Sequence, residues 1–509
     1  MILDHHSTAA QPTHRADVVV VGTGAGGAAA GAELAEAGLD VVFVEEGSYF
    51  PTSSFNPYLE QSAPRLYRDT GGTVVLGTPN ITFLEGRCVG GSTVINGGMT
   101  WRTPEKILHE WATMTGDETL GPAGMEPLFQ RVEERIHAKY HVPEAVGDDN
   151  RIMALGAKKL GWEYLYNQRN QDRCVGANSC VLGCPTGAKR STLVSYMPRA
   201  LARGARVLTE VRAERLLIEG GRAVGVVGRS VDPTTRRYGH TVTVRADAVV
   251  VAAGSIQTPY LLLGHRALRR RARGLGRHLL THPNVKVTAV YPFEVKGWQG
   301  ISQLGQTRAF RDDGILLAEN MIGPGPMAAQ LHHHGAAAWE FMTRYHHMVL
   351  TGALIEDSTT GVVKRGPFGL AVPRYDSTPY DHERYIKGVK LLAELHFAMG
   401  AEYVAVPFAH RRILRSPDEL KTLTTETIPL KSIELFTVHL MGTARMGSGR
   451  GDSVVDLDGQ LWELPGCYVA DASVFPTAIG VNPQVTIMAL ATRIAHRLAE
   501  RLQRAKAAA

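Results

Sequence analysis

The chain has 509 residues, of which 44% are hydrophobic and 20% are charged, and this length predicts two or three domains rather than a single core. Its net charge of +6 equals the six arginines of segment 265–278, which contains no aromatic residue and no nucleic-acid-binding signature. We therefore interpret that segment as a solvated loop and expect no nucleic-acid partner.

The first predicted unit, residues 16–47, consists of a strand, a glycine turn, a helix and a second strand. Residues 18–21 form a short apolar run typical of a buried parallel strand. The alanine-rich segment 28–37 is typical of a helix, and Gly38 suits its C-terminal cap. The preceding residues 1–17 lack the basic stretch and apolar core of a secretory signal.

The turn of this unit carries a G-x-G-x-x-G motif made by Gly22, Gly24 and Gly27. The first glycine makes the turn, the second lets the backbone approach a pyrophosphate, and the third allows close packing of helix on strand. Glu45 ends the next strand, placed to bond a ribose hydroxyl pair. This pattern predicts dinucleotide binding and leaves FAD and NAD as alternatives.

Three of the five cysteines lie close together, with Cys174, Cys180 and Cys184 spaced C-x5-C-x3-C and followed by Pro185. A zinc site usually has four ligands, and no fourth cysteine or histidine lies nearby in the sequence. An odd number of cysteines does not favour a secreted disulfide framework. An iron–sulfur site and a loop of free thiols remain as the two interpretations.

The remaining elements are an antiparallel hairpin or meander over 211–230 and 239–247, and a strand over 248–253 that runs into a glycine turn. Residues 284–436 are richer in aromatic residues and histidine and carry no phosphate-binding motif. We interpret them as a substrate-covering domain inserted into a nucleotide-binding domain. Residues 483–505 have apolar side chains at helical spacing and predict an amphipathic helix.

Two further segments bear on location and metal binding. Residues 472–492 carry no charge, but their prolines and glycine predict a buried loop leading into a helix rather than a membrane span. These patterns together predict a cytoplasmic protein. A histidine-rich patch lacks a recognised ligand spacing with carboxylates, and we interpret it as solvated or as a pocket rim. Its members are His332, His333, His334, His346 and His347.

Five blocks, in order along the chain, resemble the glucose–methanol–choline (GMC) oxidoreductase family. They are GRCVGGSTVINGGMTWRTP at 86–104, AAGSIQTPYLLLGH at 252–265, GLGRHLLTHP at 274–283, HLMGTARMG at 439–447, and the segment 469–495. The third block has Thr281 where the family usually has aspartate.

This resemblance implies an α/β fold: a Rossmann-like FAD-binding domain assembled from discontinuous segments, plus an α+β substrate domain with a mainly antiparallel sheet. The FAD-binding parts would be 1–105, 191–284 and 437–509. Residues 106–190 would form a linking and cap region that contains the cysteine loop. Residues 285–436 would bind the substrate.

The resemblance also implies that a primary or secondary alcohol gives a hydride to flavin N5, with His439 as the base and Asn482 beside it. A neutral imidazole suits removal of the alcohol proton, and an amide can orient the same oxygen. Asn482 precedes Pro483, so it is also a candidate N-cap of the last helix, with proline at the first helical position.

The family resemblance assigns further FAD contacts. Asn96 and Gly97 would lie near the isoalloxazine ring, and Gly91 belongs to the same signature. Val211 would contact the adenine through its backbone, and Asp471 and Ala472 would lie near the ribityl–pyrophosphate. Some members attach FAD covalently through a histidine where this chain has Ile95, so we expect non-covalent FAD.

The leading hypothesis is therefore FAD-dependent oxidation of a small-molecule alcohol, with O2 or a redox partner as electron acceptor. The alternative is a dehydrogenase subunit in which Cys174, Cys180 and Cys184 hold a [3Fe–4S] cluster that passes electrons to a redox partner. The continuation CPTGAKRST also resembles a loop of a bacterial branch that includes long-chain alcohol oxidases. The later FAD-type blocks disfavour an NAD enzyme, and His439 with Asn482 disfavours a non-enzymatic flavoprotein. Sugars, glycosides, sterols and long-chain alcohols all remain as substrates.

Overall fold

The computed structural model describes residues 1–141, 146–301, 303–331, 335–410, 412–451 and 453–508. The interpretation of His332, His333 and His334 therefore lies outside the described residues.

The strands are β1 Ile2–Leu3, β2 Thr13–Val21, β3 Val41–Val44, β4 Thr73–Val75, β5 Ile81–Phe83, β6 Met99–Thr100, β7 Ala138–Lys139, β8 Tyr164–Tyr166, β9 Gln168–Asn170, β10 Arg206–Leu208, β11 Val211–Glu219, β12 Arg222–Val231, β13 Tyr238–Val251, β14 Arg277–Leu279, β15 Asn284–Val290, β16 Gly305–Thr307, β17 Ile315–Glu319, β18 Met348–Ile355, β19 Gly361–Arg365, β20 Ala371–Arg374, β21 Tyr403–Ala405, β22 Ile413–Leu414, β23 Leu435–Thr437 and β24 Cys467–Val469.

The α-helices are α1 His5–Ala10, α2 Ala25–Glu36, α3 Leu59–Leu66, α4 Ser92–Ile95, α5 Glu105–Thr115, α6 Pro122–Arg135, α7 Asp148–Lys159, α8 Tyr196–Ala202, α9 Gly254–Leu263, α10 Arg266–Arg271, α11 Pro324–Ala329, α12 Ala336–Thr343, α13 Pro379–Ala398 and α14 Gln484–Ala507.

The first sheet has eight strands, and its centre is parallel. β10, β3, β2 and β13 lie side by side and run parallel, with β1 beyond β10 and β24 against the end of β13. β11, β12 and β13 form the antiparallel meander that the sequence predicts. Val18, Val19 and Val20 are fully buried, as expected for a parallel strand covered on both faces. The strands come from segments far apart in the chain, which confirms a Rossmann-like sheet assembled from discontinuous pieces.

The helix α2 begins in very close contact with two strand ends. A Cβ on Gly26 would lie 1.9 Å from the carbonyl oxygen of Ala470, just after β24, and one on Gly27 would lie 2.2 Å from the oxygen of Gly22. Only glycine fits there, because these neighbours are backbone atoms. The helix ends at Glu36 with Ala37 as its C-cap, and Gly38 follows in the left-handed region with φ +86°, so it terminates the helix one residue beyond the cap.

The second sheet has ten strands and is mainly antiparallel, as predicted. Its order is β4-β5-β23-β15-β18-β17-β16-β8, with β21 also paired to β15 and β22 to β21. The pairing of β5 with β23 is parallel, and the others within this sheet are antiparallel. We keep the domain boundaries as a proposal, since β4, β5 and β8 join this sheet from outside 285–436.

The two faces of the second sheet have different roles. One face carries Val285 and Val287 of β15, which belong to a buried apolar cluster with Tyr385, Val389 and Leu392 of α13. Since side chains alternate along a strand, Asn284 and Lys286 of β15 project from the other face. That face lines a large cavity.

Two surface predictions can be compared with the fold. The six arginines of 265–278 are all exposed, as predicted, but the segment is not a loop, because it contains α10 and the start of β14. Within the described ranges, no helix combines the length and apolar character needed to cross a bilayer. The cytoplasmic location stays a prediction.

We predict that Gly26→Ala lowers the free energy of unfolding by about 1–3 kcal/mol, because the new methyl group would overlap the Ala470 carbonyl and force backbone apart. Urea unfolding of the purified variant would measure this loss. Gly449→Ala is the matched control, because a Cβ there meets no atom within 4 Å. Equal stability of the two variants would contradict the tight contact.

Candidate active site

Two adjoining cavities form the candidate site. The larger, of about 1250 Å³, lies between the second sheet and the segment around α4. The smaller, of about 200 Å³, lies at the N-terminus of α2. Both are lined by Ala25, Ser92 and Pro483, so they form one continuous slot. The slot ends at the C-terminal edge of the parallel strands, where α/β folds commonly bind nucleotides.

The glycine turn lines the smaller cavity as the motif predicts. Gly22 has φ +98°, and a Cβ on Gly24 would meet nothing within 4 Å, so backbone faces open space there. The Glu45 carboxylate accepts hydrogen bonds from Thr23 N at 3.0 Å, Thr23 Oγ1 at 2.7 Å and Gly47 N at 2.9 Å. Burial raises the pKa of Glu45. The carboxylate thus braces the turn from the wall where the predicted ribose would lie.

The other predicted nucleotide contacts also line the smaller cavity. Val211 N donates to the Glu45 carbonyl at 2.9 Å, and Val211 is buried. The Asp471 carboxylate accepts from Gly254 N and Ser473 N, each at 2.8 Å, and burial raises its pKa. Asp471 therefore ties the start of α9 to the turn after β24, and Ala472 lies beside it on the cavity wall.

Residues 91–97, within the first family block, lie where the two cavities adjoin. A Cβ on Gly91 would lie 2.8 Å from Gly24 Cα, and Gly91 has φ +51°, so this position needs glycine, whereas Gly97 packs against the end of the Gln303 side chain. Asn96 Nδ2 donates to Gln484 Oε1 at 2.8 Å, whereas Asn96 Oδ1 is buried without a hydrogen-bond partner. Asn96 and Gly97 line the larger cavity.

These residues fit the FAD that the sequence predicts. The α2 N-terminus offers unpaired backbone N–H groups and a positive dipole end, which suit a pyrophosphate. The Asn96 amide oxygen has no hydrogen-bond partner in the protein, so it can accept a hydrogen bond from a ligand in the larger cavity. Glu45 and Val211 lie at the opposite end of the slot.

The predicted catalytic residues come together across the larger cavity. His439 follows β23, and Asn482 comes just before α14, yet Asn482 Nδ2 donates to His439 Nε2 at 3.3 Å. An amide N–H only donates, so Nε2 is unprotonated in this contact and Nδ1 carries the ring hydrogen. His439 Nδ1 and Asn482 Oδ1 are buried without hydrogen-bond partners. Burial lowers the pKa of His439 to about 3, so its ring is neutral near pH 7.

A second histidine, which the sequence analysis missed, lies beside this pair. The ring of His282 packs edge-on against His439 with centroids 6.1 Å apart, and His282 is fully buried in the wall of the same cavity. Gly480 N donates to His282 Nε2 at 3.4 Å. Burial lowers the pKa of His282 to about 3. Its position in the THP end of the third block is the signal that could have identified it.

This chain has Thr281 where the family usually has aspartate, and a carboxylate from another part of the chain lies beside it. The fully buried Asp357 carboxylate accepts from Thr281 N at 2.8 Å, Thr281 Oγ1 at 2.9 Å and His282 N at 2.9 Å. Burial raises the pKa of Asp357 to about 6. A carboxylate therefore supports this turn, but it comes from the loop after β18.

The capping alternative for Asn482 is wrong. The helix α14 begins at Gln484, its N-cap is Pro483, and no side chain caps it. The Asn482 side chain instead contacts His439, since the chain turns at Pro483 before the helix starts.

The three-cysteine loop lies next to the cavity segment. Cys180 Sγ accepts weak hydrogen bonds from Arg169 at 3.7 Å and Gln171 at 3.8 Å, and all five cysteines are free thiols. Among the described residues, no three His, Cys, Asp or Glu side chains converge to hold a metal ion, so Cys174 and Cys184 with Cys180 do not form a ready cluster site. The [3Fe–4S] cluster stays a prediction.

A buried lysine connects this loop to the cavity. Lys189 Nζ donates to the carbonyl oxygens of Val94 at 2.7 Å, Asn96 at 2.7 Å and Cys180 at 2.6 Å. Burial lowers the pKa of Lys189 to about 8. The ammonium therefore fixes the segment that contains Asn96 against the cysteine loop.

The described part of the histidine-rich patch lies apart from this site. His346 is exposed and its ring lies 4.3 Å from that of His347, centroid to centroid. His347 Nδ1 contacts the Phe293 carbonyl oxygen at 2.7 Å. Neither histidine lines the larger cavity.

Comparison with known proteins agrees with this architecture. Residues 63–284 and 359–491 match the two GMC oxidoreductase family models, and residues 17–56 match an FAD binding domain. The fold is similar to that of pyridoxine 4-oxidase from Mesorbium loti, with a TM-score of 0.72 and 18% identity over 94% of this chain and 98% of that one.

Two curated relatives span almost the whole chain. An uncharacterised GMC-type oxidoreductase of Mycobacterium tuberculosis is 35% identical, over 94% of this chain and 75% of its own length. A long-chain-alcohol oxidase of Arabidopsis thaliana is 29% identical, over 96% of this chain and 67% of its own length. The chain is therefore an FAD-binding oxidoreductase that belongs to the GMC oxidoreductase family.

Proposed function

We propose that this protein oxidises a primary or secondary alcohol to the aldehyde or ketone, with His439 as the base. The observation that carries this proposal is the 3.3 Å contact between Asn482 Nδ2 and His439 Nε2 at the wall of the larger cavity. A donor and an unprotonated acceptor face each other there. An alcohol oxygen placed beside both atoms can accept an N–H from the amide and donate its hydrogen to the imidazole lone pair, in place of the direct contact between the two side chains.

Asn482 and His439 have different roles in the proposed reaction. Asn482 orients the alcohol oxygen, and His439 Nε2 takes the O–H proton as the C–H bond breaks. FAD bound in the cavities would supply the two-electron acceptor, flavin N5, for the hydride that leaves carbon. The bond between carbon and oxygen becomes a carbonyl, and the imidazole later returns its proton to the medium or to the acceptor.

The surroundings of His439 make its protonated form short-lived. The ring is buried, and Nδ1 has no hydrogen-bond partner in the protein. A proton on this ring is therefore passed on readily rather than retained. This release of the proton is the same whether O2 or a redox partner is the electron acceptor.

The cavity lining supports an alcohol with an apolar body. The exposed area of the wall is mainly apolar, with contributions from Leu84, Leu316, Ile322, Leu354 and Phe436. The similarity to a long-chain-alcohol oxidase of Arabidopsis thaliana supports the same substrate class. A small number of polar groups in an apolar cavity usually sets the orientation of the ligand.

We predict that His439→Ala slows anaerobic flavin reduction by an alcohol about 10²–10⁴-fold, because no other group accepts the proton in its place. Stopped-flow absorbance of the FAD-loaded protein would measure the rate. His346→Ala, an exposed histidine outside the cavity, is the control and should react like the unmodified protein. A His439→Ala variant that keeps its FAD and reduces at the original rate would rule out this base.

We predict that flavin reduction by a neutral alcohol shows no loss of rate from pH 8 down to pH 5. The pKa of His439 lies at about 3, so lowering the pH over this range does not protonate the ring. Reduction rates at limiting substrate, measured across the range, provide the test. A falling limb centred near the ordinary histidine pKa of about 6.5 would show that His439 is not the buried neutral base described here.

We predict that FAD is released when the protein is precipitated with acid. Ile95 ends α4 at the position where some family members have the histidine that binds flavin covalently, and an aliphatic side chain forms no such bond. The absorbance of the supernatant and of the pellet after precipitation shows whether FAD has been released. Yellow colour retained in the pellet would contradict non-covalent binding.

A further inference from the structure

One charged side chain lies inside the larger cavity, away from the catalytic pair. Lys286 projects from the middle strand β15 into the cavity and is half-buried. The other charged residues of the wall, Glu60, Lys431 and Glu434, are exposed at the rim. Lys286 is therefore set apart from them by its depth in the cavity.

The contacts of Lys286 leave its charge uncompensated. Nζ donates to Gln330 Oε1 and lies 3.7 Å from the centroid of the Phe436 ring. In the part of the chain that the structure describes, no carboxylate forms an ion pair with it. Burial alone lowers the pKa of Lys286 to about 7. A buried ammonium without a counter-ion is costly, and an anion supplied by a ligand would remove this cost.

The neighbouring positions keep space and hydrogen-bonding capacity beside this lysine. Asn284, two residues before Lys286 on the same face, has a side-chain oxygen that is buried without a partner. Gly352 pairs with Lys286 on β18, and a Cβ there would lie 2.6 Å from Asn284 Oδ1 and 3.0 Å from Asn320 Nδ2. The glycine therefore leaves room for two amides that line the cavity close to Lys286.

The distance from the catalytic pair limits the size of a ligand that reaches both. Phe436, which contacts Lys286, lies three residues before His439, and three residues of extended chain span at most about 10 Å. Because this limit applies to the backbone and both side chains extend into the cavity, a ligand with its alcohol at His439 and its anion at Lys286 needs a chain of several carbons between its two ends. Leu316, Ala318 and Leu354 line the same face and offer apolar contacts to the chain of such a ligand, and Asn284 is a polar residue between its two ends.

From this arrangement we propose that the substrate is an ω-hydroxy carboxylic acid, whose carboxylate binds Lys286 while its hydroxyl group lies between His439 and Asn482. The proposal rests on the proposed alcohol oxidation and specifies its substrate class. The ammonium supplies a charge-assisted hydrogen bond, and Phe436 holds the lysine stem in place by its cation–π contact.

The test compares ω-hydroxydecanoate with its methyl ester, which has the same hydroxyl group and chain but no charge. Anaerobic flavin reduction by the FAD-loaded protein gives a second-order rate constant for each, and the acid should exceed the ester. Lys286→Met should lower the acid-to-ester ratio about 10- to 100-fold, since a hydrogen bond to a charged group is lost. Lys286→Arg keeps a cation and should retain most of the preference. Lys364→Met, at an exposed lysine of β19, should leave the ratio unchanged.

A binding measurement separates this proposal from alcohol oxidation itself. Decanoate has no hydroxyl group, so its effect on the flavin spectrum reports carboxylate binding without turnover, and its Kd should rise about 10- to 100-fold in Lys286→Met. An acid-to-ester ratio that is the same in the original protein and in Lys286→Met, with decanoate binding unchanged, would overturn the role of Lys286. Failure of every alcohol to reduce the flavin, with decanoate still bound through Lys286, would overturn the proposed oxidation instead.

Discussion

The contact between the first turn of α2 and the strand ends beside it is the constraint on which the rest of the site depends. Gly26 touches the backbone after β24, and Gly22 lies against the carbonyl of Ala252 after β13, with no room for a side chain at either glycine. Segments separated by more than 200 residues are thereby held at van der Waals distance. The same contact puts Asp471 and Ala472 next to the glycine turn. The nucleotide slot exists only because these three pieces of chain meet.

Burial controls the chemistry of the larger cavity. His439 and His282 remain neutral because the cavity offers their charged forms little solvation, and their rings pack against each other without a carboxylate between them. The same low polarity that keeps His439 unprotonated, and so able to accept a proton, disfavours the charged form of Lys286. The neutral base His439 and the cation Lys286 therefore share the low polarity of the larger cavity, and they lie apart along one face of the second sheet.

The local motifs predicted much of the fold and most of the site. The glycine turn, the valine strand, the meander and the GT-linked His439 each depend on residues close in sequence, so their patterns are readable without a structure. The roles of Asp357 and Lys286 cannot be predicted from local sequence patterns. Asp357 reaches Thr281 across 76 residues of chain, and Lys286 sits in an ordinary alternating strand whose outer face would normally be solvated. Only the pairing of distant strands shows that this face is covered.

The hydrogen bonds of Lys189 have a consequence for how the protein responds to damage. Its ammonium is shared among Val94, Asn96 and Cys180, so the cysteine loop and the segment that would hold the isoalloxazine ring have a common anchor. If the loop were displaced by oxidation of its thiols, the ammonium would lose one of three acceptors inside the protein, where water cannot replace it. The strain would then fall on the Asn96 backbone. Through Lys189, a displacement of the cysteine loop would therefore also act on the Asn96 segment, without any direct contact between a cysteine sulfur and the flavin.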